Sequence, residues 1–131
     1  MSMEDERYQR GRAQLEKMSG TSVFTMVDDL CELSPDLARL TVEFPYGDIV
    51  SRPGLDLRAR QIATVAALTA LGTAPVQLRA HINIALNVGV TREEITEVII
   101  QMAVYAGFPA AVNGMGAAKE VFRDRDQKGL S

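Results

Sequence analysis

The chain of 131 residues has a single cysteine, Cys31, and a single histidine, His81. A disulfide framework needs cysteine pairs, so none can form within it. Zinc fingers and Cys-x-x-Cys redox pairs fail on the same count. No second histidine or His/carboxylate spacing accompanies His81, and no metal site is expected. An excess of either charge is also missing. Fourteen Lys and Arg stand against 17 Asp and Glu, a formal net charge of −3, which gives nucleic acid or an anionic membrane no electrostatic footprint. No apolar run approaches the roughly 18 residues a bilayer span requires. The opening Met1-Ser2-Met3-Glu4-Asp5-Glu6 is acidic and unlike a secretory signal. These absences predict a soluble cytoplasmic protein without nucleic-acid or membrane partners.

Helical periodicity runs through nearly the whole sequence, with no strand-like alternation or internal repeat. Hydrophobic residues make up 47% of the chain, and a chain of this size buries roughly two-thirds of its unfolded surface. The expectation is an all-α, single-domain bundle of six to seven helices over residues 1–131. Residues 4–18 read as a charged helix whose apolar edge is only Tyr8, Leu15 and Met18, with Gly11 on the same side. Helix stability comes mostly from packing an apolar face, so the N-terminal helix (1–20) must lean on the body or on a neighbouring subunit. A short helix is predicted from Ser22 to Leu33, and Ser34 and Pro35 are a cap and first-turn residue for the next.

Residues 44–55 hold two prolines and two glycines among Tyr46, Asp48 and Arg52. That punctuation predicts an irregular loop, a place to look for function. Beyond it, Asp56, Pro75 and the capping box Thr91-Arg92-Glu93-Glu94 open three helices, which Gly72, Gly89 and Gly107 close. A last helix is predicted over 110–125, followed by a frayed tail, 126–131. The stretch 62–71 is apolar nearly all round, and small residues recur from Ala103 to Ala118. One small domain has few sides to cover such helices, which predicts a homo-oligomer.

His81 lies at helical spacing among Leu78, Ile82 and Ala85. It reads either as a core histidine or as a general acid or base, its ordinary pKa of about 6.5 suiting proton transfer. Asp48 and Arg52 read either as an exposed ion pair or as an orienting carboxylate and a carboxylate-binding fork. Arg58 and Arg60 sit in the first turns of their helix, against its macrodipole, where a nearby anion would offset the cost. Tyr105 reads as core, and Cys31 as an inert buried thiol. Glu93, Glu94 and Glu97 read as a capped, solvated helix start.

The residues in order are Arg7-Tyr8-x-x-Gly11, then Tyr46-Gly47-Asp48-Ile49-x-x-Arg52-Pro53-Gly54-Leu55, then Arg58-x-Arg60. His81, Ala85, Asn87 and Gly89-Val90-Thr91-Arg92-Glu93-Glu94-Ile95-x-Glu97-Val98 follow, and Gln101, Tyr105-x-Gly107-x-Pro109-Ala110-Ala111 and Glu120-Val121-Phe122 complete the set. This pattern resembles the carboxymuconolactone decarboxylase family over nearly the whole chain, most closely its γ-carboxymuconolactone decarboxylase branch. The resemblance implies an all-helical subunit in a ring-like homo-oligomer, a trimer or hexamer, with sites at subunit boundaries. The peroxidase branch carries cysteines seven and four residues before the histidine, where this chain has Ala74 and Gln77, and an earlier glutamate where it has Gln61. Without a thiolate and a resolving thiol, thiol peroxidase chemistry is excluded.

The implied activity is decarboxylation of a carboxylated unsaturated lactone to an enol-lactone in aromatic-compound catabolism. The carbanion left by carbon dioxide is conjugated through the alkene to the lactone carbonyl, so no cofactor is expected. The expected roles are His81 as proton donor supported by Asp48, Arg52 with Arg58 or Arg60 as carboxylate anchors, and Tyr46 or Asn83 as oxyanion donor. The chain departs from the branch at Tyr46 (usually Trp), Asp48 (Glu), Asn83 (Arg) and Val88 (Asn). Losing the arginine beside the histidine leaves room for a less anionic lactone or a β-keto acid. A non-catalytic, ligand-binding homo-oligomer and an enzyme using the same pocket on another small acid are the alternatives.

Overall fold

The computed structural model describes residues 2–131, and among them are seven α-helices, one π-helical segment and no strands. The chain divides into two compact units, one ending at Leu55 and the other beginning at Asp56. No helix of the described residues is long and apolar enough to cross a membrane.

The first unit contains α1 (Met3–Ser19), α2 (Val23–Leu33), α3 (Pro35–Val42) and the π-helical segment π1 (Glu43–Val50). Ser2 and Asp5 form a capping box at the start of α1, and Ser34 caps α3 by accepting from the Leu37 amide, with Pro35 in its first turn. The core of this unit is Leu15, Phe24, Val27, Ala38 and Val42, flanked by Tyr8, Val23, Leu30 and Tyr46. The charged helix α1 therefore leans on its own chain, chiefly on π1. Two glycines permit the approach. A Cβ on Gly47 would sit 2.6 Å from the Arg7 carbonyl, and one on Gly11 would strike the Val42 carbonyl.

π1 corrects the expectation of a loop over 44–55, since only residues 51–56 are irregular. Pro45 and Gly47 punctuate an ordinary helix, but a widened turn accommodates a missing donor and a backbone closely approached by another helix. Polar contacts then fix it to α1. Arg7 clasps Asp48 with Nε (3.2 Å) and Nη2 (2.6 Å), and Arg10 donates from Nε to the Gly47 carbonyl (2.7 Å).

The second unit contains α4 (Leu57–Leu71), α5 (Pro75–Asn87), α6 (Arg92–Ala106) and α7 (Phe108–Gln127). Its core runs through Val65, Leu78, Ile82, Ala85, Val90, Ile95, Ile99 and the small residues Ala111, Ala117 and Ala118. Asp56 caps α4 through the Ala59 amide at 2.7 Å, and Thr91 and Glu94 form the expected capping box. Gly107, at φ +91°, turns the chain from α6 directly into α7. In this conformation a side chain would be strained.

Residues 126–131, expected as a frayed tail, carry hydrogen bonds back to α7. α7 continues to Gln127, Leu130 N–H donates to the Arg125 carbonyl at 2.8 Å, and Arg125 Nε donates to the Ser131 carbonyl at 2.6 Å. Two side chains also lie differently from expectation. Tyr105 is 77% exposed because it falls beside, not on, the Ile95–Ile99 line of α6. Cys31 is exposed, although it falls on the same face of α2 as buried Phe24 and Val27, one turn nearer the helix end.

Candidate active site

His81 and Gln61 meet across α4 and α5 in the second unit. His81 Nδ1 lies 3.1 Å from Gln61 Oε1. An amide oxygen only accepts, so Nδ1 carries the proton and the exchangeable position of the ring is Nε2. Gln61 is 1% exposed and lies in register with buried Val65 and Thr69 along α4. The imidazole itself is half-buried, and that burial holds its pKa below the ordinary 6.5. The result is one oriented, mostly neutral imidazole on a rigid pair of helices. The motif reading places Gln61 only at the peroxidase branch's glutamate position, without its pairing to His81. Its signal was a polar side chain at a buried helical register, preceding an apolar run.

The arginines of α4 are placed less uniformly. Arg58 is ion-paired to Glu94 of α6, whose other oxygen accepts from the Thr91 amide in the capping box. Glu94 is thus the anion that offsets a cation in the first turn of α4. The pair borders an open groove of about 600 Å³ that also includes Ile62, Glu97 and Val98. Arg60, half-buried, is the neighbour of Gln61 in sequence.

Asp48 and Asn83 each have partners within their own unit. Asp48 accepts from Arg7 and Arg10, which hold its carboxyl below the usual range. Within the second unit, His81 is oriented by Gln61. Asn83 is two residues from His81, and side chains two apart on a helix do not share a face. Its Oδ1 accepts from Arg125 Nη1 at 2.7 Å. Asn83 belongs to the α5–α7 interface and not to the His81 face.

The remaining candidates lie in the first unit. Tyr46 packs against that unit's core, and burial raises its phenol pKa, so it keeps its proton as a donor. Arg52 is exposed on the short irregular stretch after π1, its amide bonded to the Ile49 carbonyl at 3.1 Å.

Comparison with known proteins places this geometry in context. The profile of the carboxymuconolactone decarboxylase family matches residues 35–120. The chain is 34% identical over 122 residues to a 4-carboxymuconolactone decarboxylase of Acinetobacter baylyi, covering 92% of this chain and 90% of that protein. It is 34% identical over 98 residues to an uncharacterized 15.0 kDa protein of Paracoccus denitrificans, covering 74% and 73%. A nitrosuccinic acid decarboxylase of Metarhizium robertsii is 33% identical over 90 residues, covering 69% of this chain and 62% of that protein. By the extent of the family match and the near full-length likeness, this chain belongs to the carboxymuconolactone decarboxylase family.

Proposed function

We propose that this chain is a cofactor-independent carboxy-lyase that acts on a carboxylated unsaturated lactone. The observation that carries the reading is the Gln61–His81 pair. Gln61 Oε1 accepts from Nδ1 in both the neutral and the charged imidazole, so proton traffic is confined to Nε2. Loss of carbon dioxide breaks one C–C bond, and its electron pair moves through the alkene to the lactone carbonyl as a dienolate. His81, as imidazolium, then donates the Nε2 proton to carbon and returns to the tautomer that Gln61 holds. Burial lowers its pKa, making the imidazolium a stronger acid for that step.

The substrate carboxylate is assigned to Arg52 and Arg60, because Glu94 neutralises Arg58. Tyr46 is assigned as an oxyanion donor. The working form is a homo-oligomer. The test is incubation of the purified protein with the carboxylated muconolactone, measuring carbon dioxide release. Release that is lost in His81→Gln supports the assignment, and no release from a folded oligomer refutes this substrate.

A second reading rests on the fungal relative and on Asn83. A relative named for nitrosuccinic acid points to an acid whose nitro group, on the carbon that bears the departing carboxylate, can accept the electron pair as a nitronate, without a lactone. With Asn83 turned toward Arg125, fewer polar groups await a large, multiply charged lactone. A small acid with a β-acceptor is the substrate class to screen next.

A further inference from the structure

Glu43, the first residue of π1, is fully buried in the first unit, at 0% exposure. Its two carboxylate oxygens are treated unequally. Oε2 accepts from Arg39 Nη1 at 3.1 Å, one turn earlier in the chain, and lies 3.8 Å from Arg7 Nη1. Oε1 is sealed as deeply, yet it receives no hydrogen bond from the described residues. A buried carboxylate oxygen ordinarily has a donor, and one left without is costly. Glu43 also lines a cavity of about 330 Å³ that lies within this unit, with Tyr8, Val27, Asp28, Ala38 and Arg39 among its walls. That volume is at the lower end of the range for small-molecule pockets.

The walls define what an occupant must bring. Val27 and Ala38 are buried and apolar, and with Tyr8 they offer cover for a small hydrocarbon body. The charged lining is acidic in balance, Asp5, Asp28 and Glu43 against Arg39. Arg39 is already engaged by Glu43 and lies 3.8 Å from Asp36. An anion would therefore face three carboxylates and one occupied guanidinium. A cation with N–H bonds meets both the acidic excess and the donorless oxygen.

We propose that this cavity binds a small organic ammonium ion, whose N–H donates to Glu43 Oε1 while its hydrocarbon body rests on Val27 and Ala38. The site shares no residue with the Gln61–His81 pair or with the groups assigned to the lactone, and it does not rest on the decarboxylase reading.

Cys31, the single thiol of the chain, is exposed and lies on the cavity wall, so its reactivity reports occupancy. The test measures its modification by methyl methanethiosulfonate in the intact chain, with benzylamine as probe and benzyl alcohol and benzoate as controls, at fixed pH and ionic strength. Benzylamine should slow the reaction saturably. Benzyl alcohol, of similar shape without the charge, should bind about tenfold more weakly, and benzoate should give no protection. Glu43→Gln should weaken benzylamine binding by about tenfold or more. Four results would overturn the proposal: no saturable protection, equal protection by benzyl alcohol, an unchanged benzylamine affinity in Glu43→Gln, or a rate that falls with protein concentration alone, which would seat a second copy on the cavity. If Glu43→Gln does not fold, amide NMR of the parent decides, since benzylamine shifts centred on Tyr8, Val27 and Ala38 support the site and shifts that bypass them refute it.

Discussion

In the proposed mechanism the chemistry turns on His81, and its environment makes quantitative demands. His81→Gln should lower decarboxylation by about a hundredfold or more, in the range of a lost general acid. Turnover within about threefold of the parent, a barrier change under ~0.7 kcal/mol, would remove His81 from the mechanism. Because the donor is an imidazolium whose pKa is held below 6.5 by burial, kcat/KM should fall as pH rises through that lowered value. Gln61→Glu places a carboxylate against Nδ1, favouring the charged ring, and should move the descending limb to higher pH. A limb that stays in place would deny Gln61 its positioning role. Stability has the opposite sign. A histidine with a depressed folded pKa contributes fully above about 6.5 and loses that contribution as pH falls through the folded value. Acid unfolding of the parent should therefore begin at higher pH than that of His81→Gln, as denaturant midpoints at several pH values would measure. His81 was legible because it is the one histidine and sits in a recognisable motif. The pairing of Gln61 with it was not, since twenty residues separate the two and no spacing rule joins side chains on different helices.

At the scale of elements, caps made the second unit easy to read. Asp56, Thr91 with Glu94, and Gly107 sit where backbone groups at helix ends need partners or a positive φ, requirements local enough to read from sequence. π1 was illegible for the converse reason. Pro45 and Gly47 locally signal a break, and contact with α1, more than thirty residues earlier, holds the segment helical. Asp48 belongs to that contact, so its proposed support of His81 could not be tested from motif order alone. Gly47→Ala puts a Cβ against the Arg7 carbonyl and should destabilise the first unit by about 1–3 kcal/mol, as overpacking does. Chemical denaturation should register this, with hydrogen exchange rising first in α1 and π1. Asp48→Asn should loosen the same elements. As the parent is acidified below about 3.8, Asp48 should lose its contribution on passing its lowered pKa. Equal exchange in α1 for parent and Asp48→Asn would show the clamp to be idle.

For the whole molecule, the decisive feature is apolar surface left uncovered by the chain itself. Ile100 and Val104 share one side of α6, and Phe108 and Val112 one side of early α7; with Tyr105 they are all at least half exposed. Leu33, Leu37, Leu40 and Phe44 are exposed apolar side chains of the first unit. Such surfaces are uncommon on monomers unless another protein or a ligand covers them. Composition anticipated this in outline, because a helix apolar nearly all round needs cover on several sides. It misplaced Tyr105, since a helical pattern shows which residues are apolar without showing which side the same chain covers. The prediction is a closed homo-oligomer, a trimer or hexamer by sedimentation velocity at micromolar concentration. Val104→Glu places a charge at a position 77% exposed in the single chain. A free surface would accept it with a stability change within about 0.5 kcal/mol. A subunit interface would not, since an unpaired charge buried against apolar partners is strongly unfavourable. The expected outcome is dissociation to smaller species with unchanged helical circular dichroism. A parent chain that sediments as a monomer at every concentration would rule out the assembly, as would a Val104→Glu variant of undiminished size rule out this patch as its interface.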